Sequence, residues 1–210
     1  MTPAKRAMDV FLAALLIAVL ALPIAAISLW LLLREGRPIF YASERMKAPD
    51  TPFTLWKFRT MTTDGNDTGV SGGYKSARIT PTGRFLRAKR LDELPQLWNI
   101  LKGDMSFVGP RPPLRRYVEL CPDIYAKVLR NRPGVTGLAT LTFHATEERL
   151  LAGCRNAAET ERVYLNRCVP AKARLDLRWA RRRNVCYDAG LIWQTVRRVL
   201  LRKRAKRNQN

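Results

Sequence analysis

Between Val10 and Leu33 the chain carries no charged residue, and Leu, Ala, Ile and Val dominate the run. At about 1.5 Å per residue, a helix over this stretch spans the roughly 30 Å hydrocarbon core of a bilayer. The segment is therefore read as a membrane helix. A signal peptide is the weaker reading, because the run is long and no small-residue cleavage site precedes Arg34 and Arg37.

Pro23 lies near the middle of the run, where it removes one backbone donor and displaces the carbonyl of the preceding turn. Lys5 and Arg6 flank the front, and Arg34, Arg37 and a basic remainder flank the back. The positive-inside tendency then draws both ends to the cytoplasm. A re-entrant helix that enters one leaflet, breaks at Pro23 and returns satisfies both pulls. A kinked transmembrane helix satisfies the larger one, and the residues alone leave both open.

Lys and Arg number 38 against 17 Asp and Glu in 210 residues, a formal charge of +21. Such a chain has one sizeable domain and an anionic partner: nucleic acid, an acidic membrane surface or a phosphorylated substrate. Four dispersed cysteines without a Cys-x-x-Cys pair, and the single His144, argue against a zinc site and for structural thiols.

Within this cationic chain, Leu91-Asp92-Glu93-Leu94-Pro95-Gln96-Leu97 sets two adjacent carboxylates at a helix start. Capping alone explains Asp92, since Asp caps well and Pro is tolerated in a first turn. It gives Glu93 no task. Arg84, Arg87, Lys89 and Arg90 precede the pair, and Arg111 follows in the stiff Gly109-Pro110-Arg111-Pro112-Pro113, surroundings suited to a multiply charged phosphate.

Elsewhere, Phe40-Tyr41 and Phe53 to Arg59 read as a small β-hairpin turning at Pro49 to Pro52. Asp64 to Gly73 reads as a mobile loop, Thr80-Pro81-Thr82-Gly83 as the start of a basic helix, and Gln96 to Lys102 as a continuation of the Asp92 helix closed by Gly103. Helices are expected over Leu114 to Arg130, Glu147 to Cys168 and Ala171 to Arg183. Leu191 to Arg204 is amphipathic and basic, fit either for anionic lipid or for a core-facing helix with a solvated tail.

These motifs together resemble the monotopic phosphoglycosyl transferases, also called bacterial sugar transferases. The likeness covers nearly the whole chain. It runs from the Pro-interrupted helix and Gly36-Arg37-Pro38-Ile39-Phe40 through Lys57-Phe58-Arg59-Thr60-Met61 and Thr82-Gly83-Arg84-Phe85-Leu86-Arg87. It continues through the Asp92-Glu93 motif, Gly103 to Pro112 and Arg132-Pro133-Gly134-Val135-Thr136-Gly137.

The resemblance implies transfer of a phosphosugar from a UDP-sugar to polyprenyl phosphate with release of UMP. Asp92 matches the family nucleophile, forming an aspartyl-phosphosugar intermediate, and Glu93 matches a residue that holds metal or handles a proton. Mg²⁺ is the implied cofactor, with Asp92 and Glu93 its ligands. Arg87 and Arg111 match basic positions suited to bidentate phosphate binding, and Lys57 and Arg59 are further substrate-binding candidates.

The implied fold is α+β and predominantly helical. Residues 1–35 form the re-entrant membrane helix broken at Pro23, and residues 36–210 a small cytosolic catalytic domain with a short β-hairpin and interfacial amphipathic helices. The implied location is the cytoplasmic face of a bacterial inner membrane, beside anionic lipids. Two departures from the family pattern are Leu22, where related chains commonly carry Ser before the membrane proline, and Leu138 to His144, which differs from a frequent Gln- and Asn-containing continuation. No nucleic-acid partner is expected. The competing functions are a membrane-tethered nucleic-acid binder and a glycosyl transferase releasing UDP.

Overall fold

The computed structural model describes residues 1–62 and 77–207, with side chains through residue 199. The expected loop over Asp64 to Gly73 and the side chains of the basic tail lie outside the described residues. Nine helices (α1–α9) and four strands (β1–β4) are described, and helices dominate.

Helix α1, Pro3–Glu35, starts at Thr2, whose side chain accepts from the Lys5 amide, and ends at Gly36 with φ of 71°. It stays helical through Pro23, where the sequence predicted a break. It is long and apolar enough to cross a membrane, and only 6% of its most apolar window is buried in the protein. One stripe does pack inward. Ala13 joins Phe53, Ile100, Phe107 and Trp179 in the main core, and Leu31 joins Phe58 and Leu86 in a second.

Polar anchors hold both ends of α1 to the same domain. Lys5 forms a buried ion pair with Asp188, which also accepts from Trp179 Nε1 at 2.8 Å. Asp9 accepts from the Phe107 amide at 3.2 Å, and Arg6 donates to the carbonyls of Ile100 and Leu101 at 2.6 and 2.7 Å. At the far end, Arg59 Nη2 donates to the carbonyls of Glu35 and Gly36 at 2.7 and 2.9 Å. Losing one partner of a buried pair such as Lys5–Asp188 costs about 3–5 kcal/mol.

The hairpin pairs β1, Phe40–Ala48, with β2, Thr51–Phe58, through a turn at Pro49 and Asp50, so both strands are longer than their apolar patches implied. Basic helix α2, Pro81–Ala88, is capped by Thr80, which accepts from the Gly83 amide at 2.9 Å. The Asp92 segment is not the first turn of the next helix. It is a separate 3₁₀ turn, Leu91–Glu93, entered through left-handed Arg90 (φ 54°), and α3, Gln96–Lys102, begins after Pro95. Gly103, at φ 93°, closes α3 as predicted.

A second sheet had no warning in hydrophobic pattern. Strands β3, Ser106–Val108, and β4, Gly134–Thr136, pair in parallel. Their close approach requires glycine: a Cβ on Gly134 would lie 2.2 Å from the Gly109 nitrogen, and one on Gly109 would lie 2.3 Å from the Arg132 carbonyl oxygen. Two motifs separated in sequence are thus one structural unit.

The expected single helix over Leu114 to Arg130 is two, α4, Arg115–Leu120, and α5, Pro122–Val128. Pro122 has no N–H and pushes Cys121 out of helical geometry, to φ −133° and ψ 56°. Likewise Glu147 to Cys168 divides between α6, Leu138–Ala152, and α7, Ala157–Val163, where Asn156 caps a new start, followed by a π turn, Tyr164–Cys168. Helix α8, Val169–Arg182, and α9, Val185–Arg207, complete the fold.

Candidate active site

A cavity of about 960 Å³ opens between the hairpin, α2, the 3₁₀ turn and the segment after β3. Lys57, Arg59, Arg87, Asp92, Glu93 and Arg111 all line it, so six of the residues singled out in the sequence share one cavity. Pro23 stands apart in α1.

Each element is fixed by a specific contact. A Cβ on Gly83 would lie 2.1 Å from the Thr60 carbonyl oxygen, so only glycine lets α2 press against the end of the hairpin. The same approach lets Arg87 Nε donate to Thr60 Oγ1 at 2.8 Å. Asn99 ties α3 to β2, donating Nδ2 to the Thr54 carbonyl at 2.7 Å and accepting from the Trp56 amide at 3.1 Å. Its own carbonyl receives the amides of Gly103, Asp104 and Met105. Sequence reading missed Asn99 because an Asn within a short helix carries no pattern of its own.

Arg111 is set by neighbours on both sides. The Met46 amide donates to the Pro113 carbonyl at 3.0 Å, and the Gly134 amide donates to the Pro110 carbonyl at 2.8 Å. The side chain of Arg45 also reaches this segment, donating from Nη1 to the Pro112 carbonyl oxygen at 3.4 Å. Stiff prolines and two flanking strands thereby hold one guanidinium at the cavity.

The two carboxylates have divided tasks. Glu93 meets three cations: Arg111 Nη2 at 3.1 Å, Lys57 Nζ at 3.4 Å and Arg90 Nη1 at 3.4 Å. Burial alone would raise its pKa, but Arg111, Lys57 and Arg90 outweigh burial and hold the carboxyl well below the usual range. Asp92 is 8% exposed, lines the cavity and makes no hydrogen bond or ion pair among the described residues. Burial, then the adjacent Glu93 charge, pushes its pKa up, with Lys57, Arg87 and Arg111 pulling the other way.

Lys57 is brought down to about 8, chiefly by burial, with Glu93 opposing the shift. Glu93, more than burial, decides the Arg111 shift, raising its hold on the proton. Arg59 lines the cavity while its Nη2 serves the end of α1, so that terminal nitrogen is already committed. Arg90, one of the upstream cations, proves to be a Glu93 partner because its left-handed backbone turns it back toward the pair.

The arrangement is an open carboxylate among fixed cations, with a second carboxylate keeping those cations in register. A sequence profile described as bacterial sugar transferase matches residues 1–202. The chain belongs to this family. Among individual relatives of the chain is the uncharacterized sugar transferase EpsL of Bacillus subtilis, 36% identical over 169 residues, 80% of this chain and 73% of that protein.

The UDP-glucose:undecaprenyl-phosphate glucose-1-phosphate transferase of Escherichia coli is 32% identical over 208 residues, 96% of this chain and 41% of its own length. A putative undecaprenyl-phosphate N-acetylgalactosaminyl 1-phosphate transferase of Bacillus subtilis is 42% identical over 109 residues, 51% of this chain and 61% of that protein. The chain thus spans 41% and 61% of the length of these last two relatives, which extend well beyond the shared region.

Proposed function

We propose that this chain moves a phosphosugar from a UDP-sugar to a polyprenyl phosphate and releases UMP, through a covalent intermediate on Asp92. The observation that carries the reading is the unpartnered Asp92 carboxylate beside a Glu93 that engages three cations. The Escherichia coli relative and the putative transferase of Bacillus subtilis both carry undecaprenyl phosphate in their names, which supports the acceptor class.

In this mechanism a carboxylate oxygen of Asp92 attacks the sugar-bearing phosphorus, and the bond to the UMP oxygen breaks with its electron pair. Arg111, Lys57 and Arg87 hold the non-bridging oxygens and spread their charge. A phosphate oxygen of the polyprenyl phosphate then attacks the same phosphorus, and Asp92 leaves as the carboxylate. Because Glu93 pins Arg111 and Lys57, the cations stay in place while charge moves.

Mg²⁺ fits this donor set through shared ligands, since it is commonly held by one or two carboxylates together with substrate phosphates. Asp92 and Glu93 are the acidic residues that would hold it. Asp92 is open, whereas Glu93 exchanges a cation contact to do so. When bound, the ion withdraws charge from the phosphates.

We further assign residues 1–35 to one leaflet of the bacterial inner membrane and residues 36–210 to its cytoplasmic face. Supporting this re-entrant, same-side reading, a helix of about 50 Å is gripped by the domain at Lys5 and again at Glu35. Its neighbours α2, α3 and α9 expose Phe85, Trp98 and Trp193, and Trp30 meets Phe85 edge-on at 5.6 Å. Aromatic residues of this kind favour the interface where an anionic lipid headgroup would sit. Purified protein given Mg²⁺, undecaprenyl phosphate and a panel of UDP-sugars should release UMP with at least one donor. Release of UDP alone contradicts the phosphosugar transfer.

A further inference from the structure

The cavity continues past the carboxylate pair. Beyond Arg111 its wall runs over Glu147 of α6, Tyr164 of the π turn, and Lys172 and Asp176 of α8. Glu147 is near enough to Arg111 for its charge to strengthen the guanidinium's hold on its proton, so the wall beyond Arg111, the far lobe, adjoins the wall lined by Lys57, Arg87 and Arg111, the near lobe.

The far lobe has its own polar order. Lys172 Nζ donates to Glu147 Oε1 at 2.9 Å and lies 3.5 Å from the Tyr164 hydroxyl. Asp176, one turn further along α8, is 7% exposed and lines the cavity, yet has no hydrogen-bond or ion-pair partner among the described residues. Burial pushes its carboxyl up to about 7, with Lys172 opposing. A carboxyl set in a cavity wall without a protein partner is available to a ligand.

Charge decides what that ligand is. The near lobe presents Lys57, Arg87 and Arg111 and suits a diphosphate. Glu147 and Asp176 against Lys172 make the far lobe unfavourable for phosphate. A neutral ring bearing hydroxyls suits it: carboxyl groups accept from hydroxyls, and Lys172 and Tyr164 donate to them. Accordingly, we propose that Glu147, Lys172 and Asp176 form the subsite for a hydroxyl-bearing ring of the nucleotide-sugar donor. This rests on the UDP-sugar reading given above. Two rings of the donor share this chemistry, the transferred sugar and the ribose.

The test compares full-length wild type with Asp176→Asn and Asp176→Leu, using undecaprenyl phosphate and UDP-glucose, UDP-galactose and their N-acetylamino counterparts. Both variants should raise KM for the preferred donor roughly 10-fold or more, because a site built to bind hydroxyls discriminates strongly through them. If the sugar occupies the lobe, selectivity between the C4 epimers narrows and inhibition by UMP is unchanged. If the ribose occupies it, UMP inhibition weakens in parallel and epimer selectivity holds.

Asp176→Leu should keep its Tm, since Asp176 makes no hydrogen bond or ion pair with the described residues for the change to break. A lowered Tm with unchanged KM, or unchanged KM, selectivity and UMP inhibition in both folded variants, overturns the subsite. A wild type that releases no UMP from any donor overturns the reaction reading, and the subsite with it. Release by wild type with unaltered variants overturns the subsite alone.

Discussion

Arg111 donates to Glu93 at 3.1 Å, while the neighbouring Asp92 meets no partner among the described residues. One carboxylate organises the cations, and the other is left free to react. Glu93→Gln should therefore loosen Lys57, Arg90 and Arg111 together and lower turnover by roughly 100-fold, the scale on which small misplacements act. It should also shift the acidic limb of kcat/KM to lower pH, because the Glu93 charge contributes to the raised pKa of Asp92. An acidic limb that moves upward would contradict this coupling.

Lys57 gives the alkaline side of the profile. Its pKa, brought from 10.5 to about 8, means the charge proposed to hold phosphate is lost as pH rises through that value. For free enzyme, kcat/KM should fall above about pH 8, and Lys57→Arg should carry activity to higher pH. Stability moves the other way. The folded state releases this proton more readily than the unfolded chain, so the contribution of Lys57 to stability rises from about pH 8 to 10.5. Urea midpoints and initial rates over that range should diverge, and a parallel decline in both would contradict the assignment.

Asn99→Ala should leave the Thr54 carbonyl and the Trp56 amide without their partner. The expected cost is about 2–3 kcal/mol, or a Tm lower by roughly 4–12 °C for a domain of this size. Turnover should also fall, since Asn99 holds the hairpin bearing Lys57 against the helix that follows Asp92. Calorimetry showing an unchanged Tm would remove Asn99 from this role.

Topology can be read with a cysteine at Ala4 in a background lacking the native cysteines. In intact cells it should resist a membrane-impermeant thiol reagent, because Lys5 and Arg6 are held by the same domain that holds Glu35. Labelling there, with a residue 36–210 cysteine protected, would establish a bitopic helix instead.

Local chemistry made much of this structure legible. Thr80 caps its helix through its hydroxyl and Gly103 ends its own through a left-handed backbone, and the apolar run, the hairpin and the clustering of Arg87, Asp92, Glu93 and Arg111 follow from nearby residues. What sequence did not reveal depends on distant partners. Three-residue strands such as Ser106–Val108 carry too little alternation to be seen, and their parallel match to Gly134–Thr136 rests on glycine contacts that exist only after folding. Lys5 looked like a topology signal but is also a buried partner of Asp188. Pro122 divides the helix expected over Leu114 to Arg130, because a proline ring ends one helix and opens the next.

The central chemical claim is that phosphorus becomes bonded to Asp92. Wild-type protein incubated with UDP-sugar and Mg²⁺, without lipid acceptor, then quenched and digested, should carry the added phosphosugar mass on the peptide containing Asp92. Asp92→Asn, similar in size but lacking the anionic nucleophile, should fold, carry no adduct and release no UMP. A folded Asp92→Asn protein with near wild-type UMP release, or an adduct mapped to another peptide, would contradict the aspartyl route.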